Sequence, residues 1–151
     1  MSIGNIIGRS EEITRLDRCM EAISAQLIII YGRRRVGKTY LINEYFNNEF
    51  AFKLTGAYKK TKAFQLESFA DELKQKSWKT QSVPSDWRDA FRQLREYLET
   101  LPEKEKQVVF IDEMPWLDTP QSDFLPLFEW FWNDWASTRN NLIFIVCGSA
   151  T

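Results

Sequence analysis

Two hydrophobic periods alternate along the chain and predict its secondary structure. Short, largely apolar segments at 27–31, 50–54, 108–111 and 142–147 are typical of buried strands. Between them, apolar residues recur every three or four positions, as on one side of an amphipathic helix. Because helices separate the strands, this order predicts an α/β fold with a mainly parallel sheet and right-handed connections.

The helical stripes predict five helices. Ser10 suits the N-cap of the first, since Glu11 and Glu12 follow in its first turn. Ser122 could cap the last helix, which we expect to run to about residue 138. The stripes consist of Ile13, Leu16, Met20 and Ile23; of Tyr40, Leu41, Tyr45 and Phe46; of Phe64, Phe69 and Leu73; of Trp87, Phe91, Leu94 and Leu98; and of Phe124, Phe128, Phe131 and Trp135.

The first apolar segment runs directly into a basic, glycine-containing stretch that fits the pattern G-x-x-x-x-G-K-[ST]. Glycines let the backbone turn tightly, so that successive N–H groups converge on an anion, and the next helix directs its positive end at the same point. Lys38 can reach the outer phosphates of a nucleotide, and the Thr39 hydroxyl can bind Mg²⁺. A basic surface turn that matches by chance is the alternative. The strand before and the helix after favour a nucleotide phosphate-binding loop.

The predicted nucleotide contacts cover this loop and the start of the helix. Its three arginines are as consistent with solvent-facing loop charge as with phosphate contacts. The residues are Gly32, Arg33, Arg34, Arg35, Val36, Gly37, Lys38, Thr39 and Tyr40.

The third apolar segment ends in two acids, Asp112 and Glu113. At the carboxyl end of a parallel strand near the loop, Asp112 would meet the bound Mg²⁺. Glu113 would then orient or deprotonate an attacking water. A buried strand that ends in a solvated acidic turn is the alternative, and the phosphate loop upstream makes it the weaker one.

Composition narrows the chemistry. The 151 residues predict one domain and contain no histidine, which excludes a histidine base and histidine metal ligands. The 20 Lys and Arg nearly balance the 21 Asp and Glu, so nothing indicates nucleic-acid binding by this part of the protein. Cys19 and Cys147 lie far apart in apolar patterns, which predicts reduced core residues. Without a signal-peptide core or an apolar run of membrane-spanning length, we expect a cytoplasmic protein with no membrane partner.

Taken together, the motifs resemble the AAA-type P-loop ATPases, and more narrowly the bacterial and archaeal ATPases grouped with the STAND signal-transduction NTPases. The likeness is carried by GRRRVGKTYLI, FIDEMPWL and FIVCGSAT, and by IIGRSEE, which is similar to the group's hydrophobic-hydrophobic-Gly-Arg signature. The resemblance implies a P-loop NTPase three-layer αβα sandwich that binds ATP or ADP with Mg²⁺ and hydrolyses ATP. It implies catalytic roles for Lys38 and Glu113, metal ligation by Thr39 and the Walker B residue Asp112, a place near the nucleotide for Arg9, and a γ-phosphate sensor at Ser149.

Members of this group continue past the sensor strand into a fifth strand, a helical lid and a C-terminal effector domain. Residues 1–151 would then form an incomplete nucleotide-binding domain, truncated after the sensor-1 strand. No arginine finger can be assigned, and such a finger contributes roughly 10³–10⁵ to turnover where one is used. We therefore expect slow hydrolysis at best from this part. Relatives often associate with DNA through their C-terminal domains, for which these residues give no direct support.

Two functions compete on these observations. The first is an ATPase core whose nucleotide state controls an effector domain. The second is a nucleotide-gated switch or scaffold with negligible turnover, which the STAND-like N-terminus and the Trp-rich helix at 123–138 favour. That helix is a candidate surface for a protein partner or self-association, although burial against the sheet is the simpler interpretation. A GTPase is disfavoured because no N-K-x-D motif occurs, and a small-molecule kinase would need an acceptor site that the sequence does not reveal.

Overall fold

The computed structural model describes residues 10–33, 37–76 and 82–150, which form strands connected by helices. The elements are α1 (Ser10–Glu21), β1 (Gln26–Arg33), α2 (Lys38–Tyr45), β2 (Phe52–Thr55), α3 (Lys62–Gln75), α4 (Trp87–Glu99), β3 (Gln107–Asp112), α5 (Phe124–Asp134) and β4 (Leu142–Ala150). Two short 3-10 helices, Met114–Leu117 and Ala136–Thr138, follow β3 and α5.

All four strands pair in parallel, in the order β1-β4-β3-β2. The carboxyl ends of the strands therefore meet at one edge of the sheet. The register pairs Gly32 of β1 with Ser149 of β4, and Thr55 of β2 with Asp112 of β3. A mainly parallel sheet is what the apolar segments predict.

Alternating residues of the central strands build two separate cores, one on each side of the sheet. On one side, Val109 and Ile111 of β3 pack with α3, α4 and α5. On the other side, Val108 and Phe110 pack with α1 and α2. Residues on both faces of the sheet are buried because helices cover both faces, as is typical of parallel sheets. The result is the predicted three-layer αβα arrangement.

Three details of the helices differ from the sequence prediction. Ile23 is 90% exposed because α1 ends at Glu21, and Phe64 is 42% exposed at the start of α3. The last helix begins at Phe124 with a left-handed Asp123 in the capping position, so Ser122 is not its N-cap. The Ser122 hydroxyl instead accepts a 3.3 Å hydrogen bond from the Phe124 amide.

Among the described residues, helices cover the edge strand β1 on one of its two sides. Ile28 and Ile30 pack against the core beneath α1 and α2. On the side of α5, Ile29 and Tyr31 are 68% and 69% exposed. They line an apolar groove of about 510 Å³ together with Leu125 and Phe128 of α5.

Candidate functional site

The phosphate-loop motif bridges β1 and α2 at the carboxyl edge of the sheet. Gly37 stands in the N-cap position of α2 with φ 78° and ψ 21°, a left-handed conformation that favours glycine. Its carbonyl accepts the first helical hydrogen bond from the Leu41 amide at 2.9 Å. Because Gly37 can adopt this turn, α2 begins abruptly and presents its positive end at the edge where the strands finish.

The Lys38 side chain folds back towards the end of β1. Lys38 is only 7% exposed, and its ammonium Nζ donates to the Gly32 carbonyl at 3.3 Å. A buried ammonium requires such polar partners. Lys38 therefore lies against the backbone at the end of β1.

Thr39 and Asp112 make the contact that joins the two predicted motifs. The Thr39 hydroxyl donates to Asp112 Oδ2 at 2.7 Å, across 73 residues of sequence. Asp112 is 3% exposed, and its Oδ1 accepts the backbone N–H of Glu113 at 2.9 Å. The end of β3 and the first turn of α2 are thus in direct hydrogen-bonding contact.

Glu113 turns the chain away from β3 in a left-handed conformation, with φ 53° and ψ 43°. Non-glycine residues rarely adopt this conformation, which costs roughly 1–2 kcal/mol. Its carboxylate Oε2 accepts a hydrogen bond from the Trp116 indole Nε1 at 3.1 Å. The predicted base therefore lies in a constrained turn and points one oxygen at an aromatic neighbour.

Three residues that sequence reasoning did not assign to the site support this turn. The Gly56 amide donates to the Asp112 carbonyl at 2.8 Å. Gln65 is fully buried, and it donates to the Ala57 carbonyl at 2.8 Å and the Trp116 carbonyl at 3.1 Å. A glycine just after a strand is a weak signal for close backbone approach, whereas nothing in the sequence signals the roles of Gln65 and Trp116.

Cys147 of β4 lies in the electric field of the site. Burial raises the pKa of its thiol to about 12, and the negative charge of Asp112 adds to the shift while Lys38 opposes it. The cysteine is fully buried and free. It is therefore a neutral packing residue, as expected for a reduced core cysteine.

The structure brings part of the predicted set together. Lys38 meets Gly32, and Thr39 meets Asp112, whereas Tyr40 is mostly exposed on α2. Arg33 and Ser149 belong to β1 and β4 at the carboxyl edge. The roles of these residues stay predictions. Arg9, Arg34, Arg35 and Val36 lie outside the described residues.

A magnesium ion fits the donor set that Thr39 and Asp112 provide. Within the described part of the chain, no three acidic or cysteine side chains gather into a metal cage. Mg²⁺ does not need one, because it keeps several waters and binds through one or two protein oxygens plus substrate phosphates. A buried carboxylate beside a hydroxyl suits that mode.

A membrane-spanning segment was also sought. In the described ranges, no helix combines the length and apolar character that crossing a bilayer requires.

Comparison with known families and sequences points to nucleotide binding. A family described as "ATPase domain predominantly from Archaea" matches residues 6–151. An uncharacterised ATP-binding protein of Methanocaldococcus jannaschii is 49% identical over 43 residues, which are 28% of this chain and 73% of that protein.

Several solved structures share the fold at low sequence identity. A Walker-type ATPase of Pyrococcus abyssi aligns with 96% of this chain and 46% of its own at TM-score 0.63 and 22% identity. Drosophila ORC bound to DNA aligns with 94% and 37% at TM-score 0.65 and 16% identity. The Aeropyrum pernix ORC2 protein, solved as ADPNP-ADP complexes, aligns with 97% and 42% at TM-score 0.61 and 18% identity. The chain thus spans less than half of each structure, and these identities establish the fold alone.

Proposed function

The chain belongs to the family of ATPase domains found predominantly in Archaea, and we propose that it binds ATP with Mg²⁺ and hydrolyses it to ADP and phosphate. The 2.7 Å hydrogen bond between Thr39 and Asp112 carries the proposal. It joins the phosphate-loop helix to the acidic strand end, and these are the two parts that a P-loop ATPase requires.

Each side chain has a definite task in this proposal. Lys38 and the loop amides bind the phosphates, while Thr39 and Asp112 hold Mg²⁺, which neutralises phosphate charge when bound. Glu113 accepts a proton from water as the water oxygen forms a bond to the γ-phosphorus. The bond from that phosphorus to the bridging oxygen of ADP breaks, and ADP leaves with the bonding electrons.

Calorimetric titration with Mg·ATP tests binding. Lys38→Ala removes the only charge that the motif assigns to the outer phosphates. We expect a loss of affinity of tenfold or more, since a charge-assisted hydrogen bond contributes about 1.5–3 kcal/mol. Lys104→Ala, which removes an exposed lysine from the loop before β3, is the matched control. Equal affinities for Lys38→Ala and the wild type would refute nucleotide binding at this loop.

Phosphate release tests hydrolysis. Glu113→Gln removes the base and keeps the size of the side chain, so we expect turnover to fall by about 10²–10⁴ while ATP affinity is preserved. A wild-type protein that binds ATP tightly and releases no phosphate would instead support the second candidate, a nucleotide-gated switch. A phosphorylated acceptor in place of free phosphate would indicate a kinase.

We further propose that residues 1–151 form one nucleotide-binding domain of a STAND-like ATPase in the cytoplasm. The nucleotide bound to this domain would control an effector domain. The four motif-like stretches motivate this, including the region of Arg9 and the end of β4 at Ser149. α5 would offer a partner surface, because Leu125 and Trp130 are exposed on it. Sedimentation velocity of the protein in Mg·ATP and in Mg·ADP tests this extension. The same association state in both nucleotides would count against it.

A further inference from the structure

Trp116 makes a contact with Glu113 that the hydrolysis proposal does not use. Its indole Nε1 donates to Glu113 Oε2 at 3.1 Å. The 3-10 helix Met114–Leu117 creates the contact, since the Trp116 amide also donates to the Glu113 carbonyl at 3.1 Å. One tight turn therefore returns the indole ring to the carboxylate three residues before it.

Contacts restrain both the backbone of Trp116 and one side of its indole ring. Tyr58 packs against it edge-on, with ring centroids 4.4 Å apart and an interplanar angle of 87°. The buried Gln65 donates to the Trp116 carbonyl at 3.1 Å. A β-carbon added at Gly56 would lie 3.1 Å from Trp116 Cβ, so the chain after β2 leaves the residue little room. The indole is therefore a restrained donor.

A restrained donor matters because a glutamate side chain has three rotatable bonds and two equivalent oxygens. The indole N–H donates and cannot accept, so this contact limits the directions in which the Glu113 carboxylate can point. Hydrogen bonds to ionised groups are the stronger ones in proteins. Preorganised geometry of this kind contributes to the rate of the chemical step more than to substrate binding.

We infer that Trp116 is a positioning residue that holds the Glu113 carboxylate in its catalytic orientation. The inference rests on the proposed hydrolysis at this site. Trp116→Phe removes the N–H and keeps an aromatic ring against Tyr58. We expect kcat for ATP to fall about tenfold with KM changed by less than about twofold. Trp87→Phe makes the same chemical change in the core on α4, where the indole N–H has no hydrogen-bond partner, and should leave both constants at the wild-type values.

A second measurement detects the hydrogen bond between Trp116 and Glu113 without an activity assay. The indole ¹H–¹⁵N resonance of Trp116, identified by its loss in Trp116→Phe, should move in Glu113→Gln. It should stay in place in Glu105→Gln, which changes an exposed acid in the loop before β3. Melting temperatures of all variants verify that each is folded.

The outcomes separate the two ideas. A Trp116→Phe protein with wild-type kcat, alongside an inactive Glu113→Gln protein, would overturn the inference and leave the proposed function standing. A Trp116 indole resonance whose chemical shift is the same in Glu113→Gln as in the wild type would overturn the inference as well. If Glu113→Gln hydrolyses ATP as the wild type does, the proposed base is wrong and the inference falls with it, even where the resonance reports the contact.

Discussion

Gly56 follows β2 at the point where the backbone after β3 passes closest to it. A β-carbon at this position would lie 2.2 Å from the Glu113 carbonyl oxygen and 3.2 Å from its carbonyl carbon. Ordinary contacts between such atoms lie near 3.5 Å. Backbone atoms cannot rotate out of the way, so Gly56→Ala would force the ends of β2 and β3 apart by about an ångström.

The expected cost follows from the groups that must move. Forcing a methyl group into a packed site costs typically about 1–3 kcal/mol. The separation also strains the 2.8 Å hydrogen bond from the Gly56 amide to the Asp112 carbonyl, and such a bond contributes about 0.5–1.5 kcal/mol. Alanine also lowers the conformational entropy of the unfolded chain relative to glycine, which stabilises the folded protein by about 0.4–1 kcal/mol. The free energy of unfolding should fall by roughly 2–3 kcal/mol, which lowers Tm by roughly 4–12 °C.

Urea unfolding followed by tryptophan fluorescence measures this difference, with Gly148→Ala as the matched control. The three atoms nearest to a β-carbon at Gly148 belong to side chains, two to the Pro115 ring and one to Tyr31, each at 3.2 Å. Tyr31 is largely exposed and can shift, and the exposed Pro115 ring must move by only a few tenths of an ångström, so we expect a loss near the lower limit for overpacking, about 1 kcal/mol. If Gly56→Ala proves as stable as Gly148→Ala, the close approach to Glu113 is not what requires glycine here.

Two further predictions concern stability. Tyr97→Phe removes a 2.7 Å hydrogen bond to the Ala51 carbonyl in a buried position, so the free energy of unfolding should fall by about 1–3 kcal/mol; Tyr58→Phe, on an exposed ring, should change it by less than about 0.5 kcal/mol, and equal effects would contradict the reasoning. Burial raises the pKa of Cys147 in the folded protein to about 12, above the ordinary value of about 9 for a thiol, so the unfolded thiol loses its proton first and stability should decline as pH rises from about 9 to 12. Cys147→Ala should flatten that decline by up to about 1.4 kcal/mol per pH unit, and an unchanged slope in chemical unfolding would refute it.

Periodicity predicts the central part of the fold well because the physics there is simple. Helices cover β3 and β4 on both sides over residues 108–111 and 142–147, so these residues are all apolar, and Val109 and Phe110 point into different cores. The same holds for α4, whose Trp87, Phe91 and Leu94 are all buried at helical spacing. Where burial is determined by an element's own apolar pattern, the pattern alone identifies the element.

The pattern fails where burial depends on which elements are neighbours. The segment 27–31 is as apolar as the other strands, yet Ile29 and Tyr31 are exposed because β1 is the edge of the sheet and no described helix covers that side of it. Strand order is a long-range property that periodicity does not contain. Phe64 fails for a related reason, since its position in the first turn of α3 projects it past the core.

The candidate site likewise has features that the sequence predicts and features that it does not. The loop and the acidic pair follow from motif chemistry, and the contact between Thr39 and Asp112 agrees with that expectation. The left-handed turn at Glu113 and the indole donor at Trp116 arise from local backbone geometry that no spacing encodes. Which side chain reaches the base depends on its position within the turn. The motif itself does not specify the residue at that position, so the motif cannot predict it.

Asp112 links these local features into one unit. Its carbonyl accepts the Gly56 amide after β2, its Oδ1 accepts the Glu113 amide, and its Oδ2 accepts the Thr39 hydroxyl on α2. A shift of the carboxylate towards a ligand therefore acts at once on the first turn of α2 and on the turn that carries Glu113. Since Trp116 ties that turn to its own carboxylate, a change at the phosphate loop has a short route of direct hydrogen bonds to the proposed base. Networks of hydrogen bonds and packed side chains are the physical means by which two sites can be coupled, and the three hydrogen bonds of Asp112 form such a network where both motifs meet at the carboxyl edge of the sheet.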